Sequence, residues 1–328
     1  MSNSKINKIS KEKIIQLYSS MVKIRRFEEK IIEVYPQQQM RTPVHLYIGE
    51  EAIASGVCAA LRKDDYVFGT HRSHGLYIAK GGELKKLVSE LYGKRNGCCK
   101  GKGGSMHIVD VAHGICGTTA IVGGNIPLAV GAGLTIKLKS TQQVSCAFFG
   151  DGAVDEGVFY ESMNFASLKK LPVIFICENN FYATHSHISK RQAQDNIYTR
   201  GVCLGIPGKR VDGNDVIEVY LTAKEAIERA RNSYGPTLIE CRTYRWRTHV
   251  GPQTDEELGM PPAGELLQWL KRCPIQRLRR CILEKGIMDL EEEKELIKLI
   301  EEEIEEAFKF AQTSPSPKPE EVFDDVFV

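Results

Sequence analysis

The sequence predicts an α/β fold: an open parallel sheet flanked by helices, with helical extensions at the N- and C-terminal ends. Two observations carry this. The apolar runs 144–149 and 173–177 have the length and uniform hydrophobicity of strands buried on both faces. Between them, residues 155–170 have helical spacing, with Val158, Tyr160 or Glu161, Phe165 and Leu168 in register and a stop at Leu171-Pro172. Strand, helix and strand at this spacing make a unit of about the length a right-handed parallel crossover needs.

What ends the two strands is the strongest functional signal. The first runs into Gly150-Asp151-Gly152 and the second into Asn179-Asn180, with the 26 residues 153–178 between. A carboxylate and an amide oxygen are thereby placed at the carboxyl ends of neighbouring strands, where open parallel sheets bind ligands. Two hard oxygen donors beside glycines suit a magnesium ion carrying a diphosphate, since magnesium takes octahedral oxygen ligands and draws several of them from phosphate.

The other elements follow in order. Residues 1–12 are polar and read as a flexible N-terminus, and residues 13–328 as a single domain. An amphipathic helix spans 11–35, with Ile14, Leu17 or Tyr18, Met21, Ile24, Phe27 or Glu28, and Ile31 on one stripe. A turn-rich stretch covers 37–43, and 44–123 alternates short helices with glycine-rich loops. Residues 125–139 are apolar with small side chains and read as a closely packed helix. After the crossover, 185–200 is polar, poor in core residues and expected to be a mobile loop that orders around ligand. A helix over 216–232, a strand over 237–241, a second exposed segment over 248–264 and a charge-rich amphipathic helix over 290–311 complete the chain.

Composition is consistent with a soluble globular protein: 328 residues, 42% hydrophobic and 26% charged, enough to bury a large core. A formal net charge of +2 implies no polyanionic partner, so no nucleic acid is expected. No run approaches membrane-spanning length, and residues 1–10 lack an apolar signal core. Ten cysteines without a CxxC, two of them adjacent at Cys98-Cys99, read as free thiols in a reducing compartment, which points to the cytoplasm. The glycine-rich block 97–104, with Lys100 and Lys102, lacks the order of a phosphate loop because no Ser or Thr follows a Gly-Lys there. No GxGxxG joins a strand to a helix, which removes a dinucleotide-binding reading.

Gly-Asp-Gly followed by Asn-Asn at this distance is the thiamine-diphosphate motif. The surrounding text, Gly150-Asp151-Gly152-Ala153 through Cys177-Glu178-Asn179-Asn180-Phe181-Tyr182, resembles the alpha subunit of the first component of 2-oxo acid dehydrogenase complexes, of the pyruvate, branched-chain and acetoin types. Further blocks agree in family order: 21–28, His45-Leu46-Tyr47 with Gly49 to Ala52, His71 to Gly75, Gly101 to His107, Ile121-Val122-Gly123, Arg210 to Gly213, and Thr243 to Arg245 with His249.

The resemblance implies a thiamine-diphosphate-binding fold, an oxidoreductase, and thiamine diphosphate with Mg2+ as cofactors. It assigns the metal to Asp151, Asn180 and the main-chain carbonyl of Tyr182, with Gly150, Gly152 and Ala153 beside them. His71 and Arg72 would grip the diphosphate. Arg72 suits that task as a bidentate donor, whereas His71 departs from the tyrosine often found there. Ala120 and Val122 would touch the cofactor's pyrimidine. His45 and His74 would lie near its substrate end, and His249 on a flexible loop facing the reacting carbon. The glutamate that activates the cofactor comes, in the family, from a separate beta subunit in a heterotetramer of two alpha and two beta chains. The activity implied is oxidative decarboxylation of a small 2-oxo acid with acyl transfer to a lipoyl carrier, supplied by a lipoyl acyltransferase. Alternatives are an acetoin dehydrogenase alpha subunit, a thiamine-dependent carboligase without a lipoyl partner, and a non-catalytic regulatory subunit. Intact Asp151, Asn180 and Arg72 weigh against the last. Where many relatives carry a phosphorylatable serine after the loop histidine, this chain has Val250, which excludes kinase control at that position.

Overall fold

A computed structural model describes residues 6–40, 42–260 and 264–324. Its centre is a six-stranded sheet, every neighbouring pair parallel, in the order β2-β1-β3-β4-β8-β7. The strands are β1 (Tyr66–Thr70), β2 (Ile115–Thr119), β3 (Ser145–Gly150), β4 (Val173–Asn179), β7 (Gly208–Asp212) and β8 (Thr237–Arg242). A two-residue hairpin, β5 (Tyr182–Ala183) with β6 (Ser186–His187), stands apart from it.

Alternation along β3 and β4 divides the interior into two cores. Cys146, Phe148, Ile174 and Ile176 face one side; Ala147, Phe149, Val173, Phe175 and Cys177 face the other. The first side is covered by α1 (Lys11–Val34), α2 (Glu51–Cys58), α7 (Val216–Arg231), α9 (Pro274–Glu284) and α10 (Leu290–Thr313). The second is covered by α5 (Asn125–Leu138) and α6 (Gly157–Leu168). α3 (His74–Ala79) and α4 (Leu84–Leu91) lie between β1 and β2 in the chain, and α8 (Glu265–Leu270) precedes α9.

Helix α1 buries the whole stripe expected of it, from Ile14 to Ile31. The chain is anchored earlier than the polar N-terminus suggested: Ile6 is in the first core, and Ser10 caps α1 by accepting from the Lys13 amide. Residues 1–5 of that segment lie outside the described residues. Helix α10 starts at a capping box between Asp289 and Glu292. Strands β1, β2 and β7 and helix α9 were not legible; the strands are short and lie among glycine-rich or polar text.

Helix α6 runs opposite to expectation. Phe159, Met163 and Ala166 are its buried apolar residues, while Tyr160, Phe165 and Leu168 are exposed. The sequence carries apolar residues on two stripes, so periodicity alone selected the wrong one. The exposed stripe has company, because α5 also leaves Leu128 and Leu138 uncovered, and Ile121 and Val122 project just before it.

The polar stretch 185–200 is pinned at two points, Ile188 and Ile197, which enter the second core. Residues 248–251 are likewise not free: Thr248 and Gly251 are buried, and the Gly251 amide donates to the Val44 carbonyl at 2.9 Å. Residues 261–263 of the second expected loop lie outside the described residues.

Candidate active site

In the sheet order, β1 sits between β2 and β3, so the chain winds outward in both directions from it. Connections diverge there, leaving a crevice at the carboxyl ends of the strands. A cavity of about 410 Å³ fills this place. Its lining includes Thr70, His71 and Arg72 at the end of β1, Thr119, Ala120, Ile121 and Val122 at the end of β2, Gly150 to Ala153 at the end of β3, and Asn180 and Tyr182 after β4. His45 and His249 join them from loops. Of the residues singled out from sequence, only His74 is missing from the lining.

At one end stand the oxygen donors. Asp151 opens a 3-10 turn directly after β3 and is 1% exposed. Burial pushes its carboxyl pKa up, while Arg191 pulls it down. Arg191 bridges Asp151 and Asp155, so a guanidinium already neutralises the carboxylate. Asn180 is oriented through its side-chain amide, whose Nδ2 donates to Glu50 Oε1 at 3.0 Å, and its Oδ1 accepts from the Tyr182 amide at 3.2 Å. The turn is forced by Phe181, whose φ of 71° lies in the left-handed region that non-glycine residues seldom adopt. Gly150 leaves open space: a Cβ there would meet nothing nearer than the Glu178 carbonyl at 4.0 Å. A cation held by the Asp151 carboxylate and the Asn180 amide oxygen, beside a glycine cradle, fits this end, and the Arg191 guanidinium stands in for that positive charge.

At the other end are three imidazoles. The rings of His45, His71 and His249 meet edge to face, with centroids 4.6, 5.2 and 5.1 Å apart. Desolvation, and then the Arg72 guanidinium, lower their pKa values to about 3, 2 and 4 respectively, which keeps all three neutral at pH 7. Nδ1 of His45 and Nδ1 of His249 are buried without a hydrogen-bond partner. His249 reaches this place because its segment is stitched to the one carrying His45: the Trp246 amide donates to the Ile48 carbonyl at 2.9 Å, next to the Gly251–Val44 bond. Gly49 permits that closeness, since with φ at 103° a Cβ would fall 2.3 Å from the Tyr244 carbonyl.

His74 is elsewhere. It is fully buried, with Nδ1 3.2 Å from both Glu28 carboxylate oxygens and Nε2 2.9 Å from Ser105 Oγ. Glu28 also accepts from the Tyr47 amide at 2.9 Å, so this ring ties α1, α3 and the loop at residue 105 together.

Sequence reasoning passed over two acids and a cation between the two ends. Glu50 is buried, 3.5 Å from Arg72 Nε, and burial raises its pKa. Glu178 accepts from Tyr47 Oη, and desolvation with Glu50 nearby pushes its carboxyl up to about 8. Arg245, 2% exposed, donates to the Thr184 carbonyl at 2.7 Å and pairs with Asp255. Glu178 directly precedes the Asn pair, a signal that was available; Glu50 lay inside a matching block, and nothing in its spacing marked it. Arg72 donates to the Leu46 carbonyl at 2.6 Å, so its position is fixed from within the fold.

Residues 19–320 match the family described as dehydrogenase E1 component. The chain belongs to that family. It is 42% identical over 320 residues to the alpha subunit of acetoin:2,6-dichlorophenolindophenol oxidoreductase of Bacillus subtilis, covering 98% of this chain and 95% of that one. To chloroplastic pyruvate dehydrogenase E1 component subunit alpha-3 of Arabidopsis thaliana it is 39% identical, covering 97% of this chain and 75% of that protein. The pyruvate dehydrogenase E1 component subunit alpha of Rhizobium meliloti is 36% identical, with 98% and 92% covered. The chain is therefore an oxidoreductase component of the thiamine-diphosphate-dependent 2-oxo acid dehydrogenase class. Among the described residues, no helix is long and apolar enough to cross a membrane.

Proposed function

We propose that this chain is the alpha subunit of an enzyme that oxidatively decarboxylates a small, pyruvate-like 2-oxo acid and passes the acyl group to a lipoyl carrier. The observation that carries the reading is one cavity at the carboxyl ends of β1 to β4, lined both by Asp151 and Asn180 and by His45, His71 and His249. Asp151, Asn180 and the Tyr182 carbonyl would hold Mg2+, with Arg72 and His71 facing the diphosphate and Ala120 and Val122 flanking the pyrimidine. When bound, thiamine diphosphate supplies the reactive carbon and the electron sink for decarboxylation. The protein's own part is to neutralise the diphosphate, exclude water and present uncharged imidazoles to the substrate. His249, neutral and with Nδ1 unpartnered, is positioned to exchange a hydrogen bond with a substrate oxygen.

A beta subunit supplies the carboxylate that activates the cofactor. Glu50 and Glu178 are committed elsewhere, to Asn180 with Arg72 and to Tyr47. The uncovered apolar face made by Ile121, Val122, Leu128, Leu138, Phe165 and Leu168 begins at the cavity rim and suits a permanent partner. Two alpha and two beta chains, a lipoyl acyltransferase as acceptor, a single domain over 13–328, and a cytoplasmic setting that keeps the ten free thiols reduced complete the proposal.

A second reading, an acetoin-cleaving alpha subunit, is favoured by the Bacillus subtilis relative. The test is co-expression with a beta subunit, followed by turnover of pyruvate, branched 2-oxo acids and acetoin with an artificial electron acceptor. A 2-oxo acid preferred over acetoin supports the first reading, and the reverse supports the second. Full turnover by the isolated chain would overturn the divided site.

A further inference from the structure

The glycine-rich block 97–104 does not line the cavity; it wraps one buried carboxylate instead. Glu90, fully buried near the end of α4, accepts four main-chain amides. Those of Cys99 and Gly101 reach Oε2 at 2.8 and 2.9 Å, and those of Gly103 and Gly104 reach Oε1 at 2.7 and 3.1 Å. The wrapping needs glycine: a Cβ on Gly97 would fall 2.2 Å from Glu90 Oε2, and one on Gly103 1.9 Å from the His107 carbonyl. On this loop sit Cys98 and Cys99, both half-buried, with their sulfurs within 4.8 Å of one another. We propose that Cys98 and Cys99 form a redox-active dithiol that a hydroperoxide closes to a disulfide, loosening the loop that Glu90 holds.

The two thiols are unequal. Cys99 Sγ accepts from the Val109 amide at 3.2 Å and lies 3.3 Å from the His107 carbonyl. The Cys98 thiol beside it, and then the Val109 amide, hold the Cys99 thiol below its ordinary value against burial and the Glu90 charge. The same contact with Cys99, and burial, push Cys98 up. Cys99 is therefore the attacking thiolate and Cys98 the resolving thiol. The Cys99 sulfur takes one peroxide oxygen as the O–O bond breaks, and the departing hydroxide is protonated by solvent. The Cys98 sulfur then attacks Cys99, the S–O bond breaks, and the hydroxide leaves with the Cys98 proton as water. The sulfurs lose two electrons and the peroxide gains them. A metal is the poorer occupant, because amides already fill both Glu90 oxygens.

Adjacent Cα atoms stand about 3.8 Å apart across a trans peptide, below the roughly 4.4–6.8 Å of ordinary disulfides, so the closed ring is strained and readily reduced again. The strained peptide carries the very amide that Glu90 Oε2 holds. The loop runs on into Ser105, bonded to His74, and into Met106, which lines the cavity and whose carbonyl accepts from Thr118 Oγ1 at 2.8 Å.

Hydrogen peroxide on the reduced full-length chain, followed by alkylation, trypsin and mass spectrometry, tests the site. The peptide of residues 96–100 should appear unalkylated and lighter by two hydrogens than its reduced form, and dithiothreitol should restore it. Closure should run several times faster than oxidation of Cys203, an exposed thiol. Cys98→Ser should stop at a Cys99 sulfenic acid that dimedone traps, whereas Cys99→Ser should leave Cys98 unmodified at the same dose. Phenylarsine oxide, which bridges paired thiols, should bind the reduced wild type and neither serine variant, a readout independent of any catalytic activity. Amide hydrogen exchange over 99–109 should rise severalfold on oxidation and fall back on reduction. Cys99 passing to sulfinic acid while Cys98 stays alkylatable, or disulfides between chains in place of the internal one, would overturn the dithiol. A closed disulfide with unchanged exchange would overturn the loosening.

Discussion

At the oxygen end of the cavity, Asp151 and Asn180 emerge from two adjacent strands joined by one crossover; at the imidazole end, His249 joins His45 and His71 from a segment far away in the chain. The oxygen end is charged and already engages a cation, Arg191, whereas the imidazole end is neutral and leaves two nitrogens unpaired. Local connectivity sets the first, because the βαβ unit dictates where the carboxylate and the amide stand. Packing sets the second, because the pairing of residues 44–48 with 246–251 brings His249 to His45.

The sharpest way to break this contrast is at Asp151. Asp151→Ala should reduce Mg2+-dependent affinity for thiamine diphosphate by a hundredfold or more, because the charged ligand is lost. Calorimetry on the complex with its beta subunit measures it, and unchanged affinity would end the assignment of this end as the anchor. Asn180→Ala should act in the same direction but less, since a neutral ligand is removed.

His249→Ala sharpens the other side. Turnover should fall by roughly a hundredfold, the scale of one positioned proton-transfer or hydrogen-bonding group. Cofactor affinity should change by no more than a few-fold. Steady-state kinetics set beside cofactor titration gives the split; equal losses in both would make His249 part of the anchor.

Arg191→Ala tests whether the guanidinium competes with the metal. Removing it should tighten Mg2+ binding by about tenfold, equivalent to about 1.4 kcal/mol, the displaced ion pair being partly buried. Weaker binding would mean that Arg191 holds the diphosphate instead.

The last effect is on stability against pH. The three histidines have folded pKa values of about 3, 2 and 4 against a reference of 6.5, so between these limits the unfolded chain binds more protons. Stability therefore holds above pH 6.5 and is lost as pH falls toward 4, with a slope of at most about 1.4 kcal/mol per pH unit for each ring. In metal-free buffer, His71→Phe should flatten the fall of Tm from pH 6.5 to 4.5. An unaltered slope would show that this ring is solvated and titrates normally.

Much of this was legible because it is local. The crossover from residue 144 to 180, the stripe of α1 and the donor pair need only period, length and the end of a strand. Where two stripes competed, as on α6, the sequence was ambiguous: Tyr160, Phe165 and Leu168 are as apolar as Phe159 and Met163, and only the sheet beneath decides which face is covered. The same limit applies to His74, which shares a block with His71 yet turns away to Glu28 and Ser105. His71 lies in the loop before α3 and His74 is the first residue of that helix, so the motif alone cannot say which one enters the cavity. Glu50, Glu178 and Arg245 were passed over because a buried charge is recognised by its partners, and those partners lie in other segments. The sequence by itself determined β3, β4 and β8, the crossover and the placing of the Asp151 and Asn180 oxygens at strand ends, since these follow from short-range periodicity. Which histidines share one cavity, which acids are matched and which apolar face waits for a partner were decided by tertiary packing, because each depends on segments that meet only after the sheet has formed.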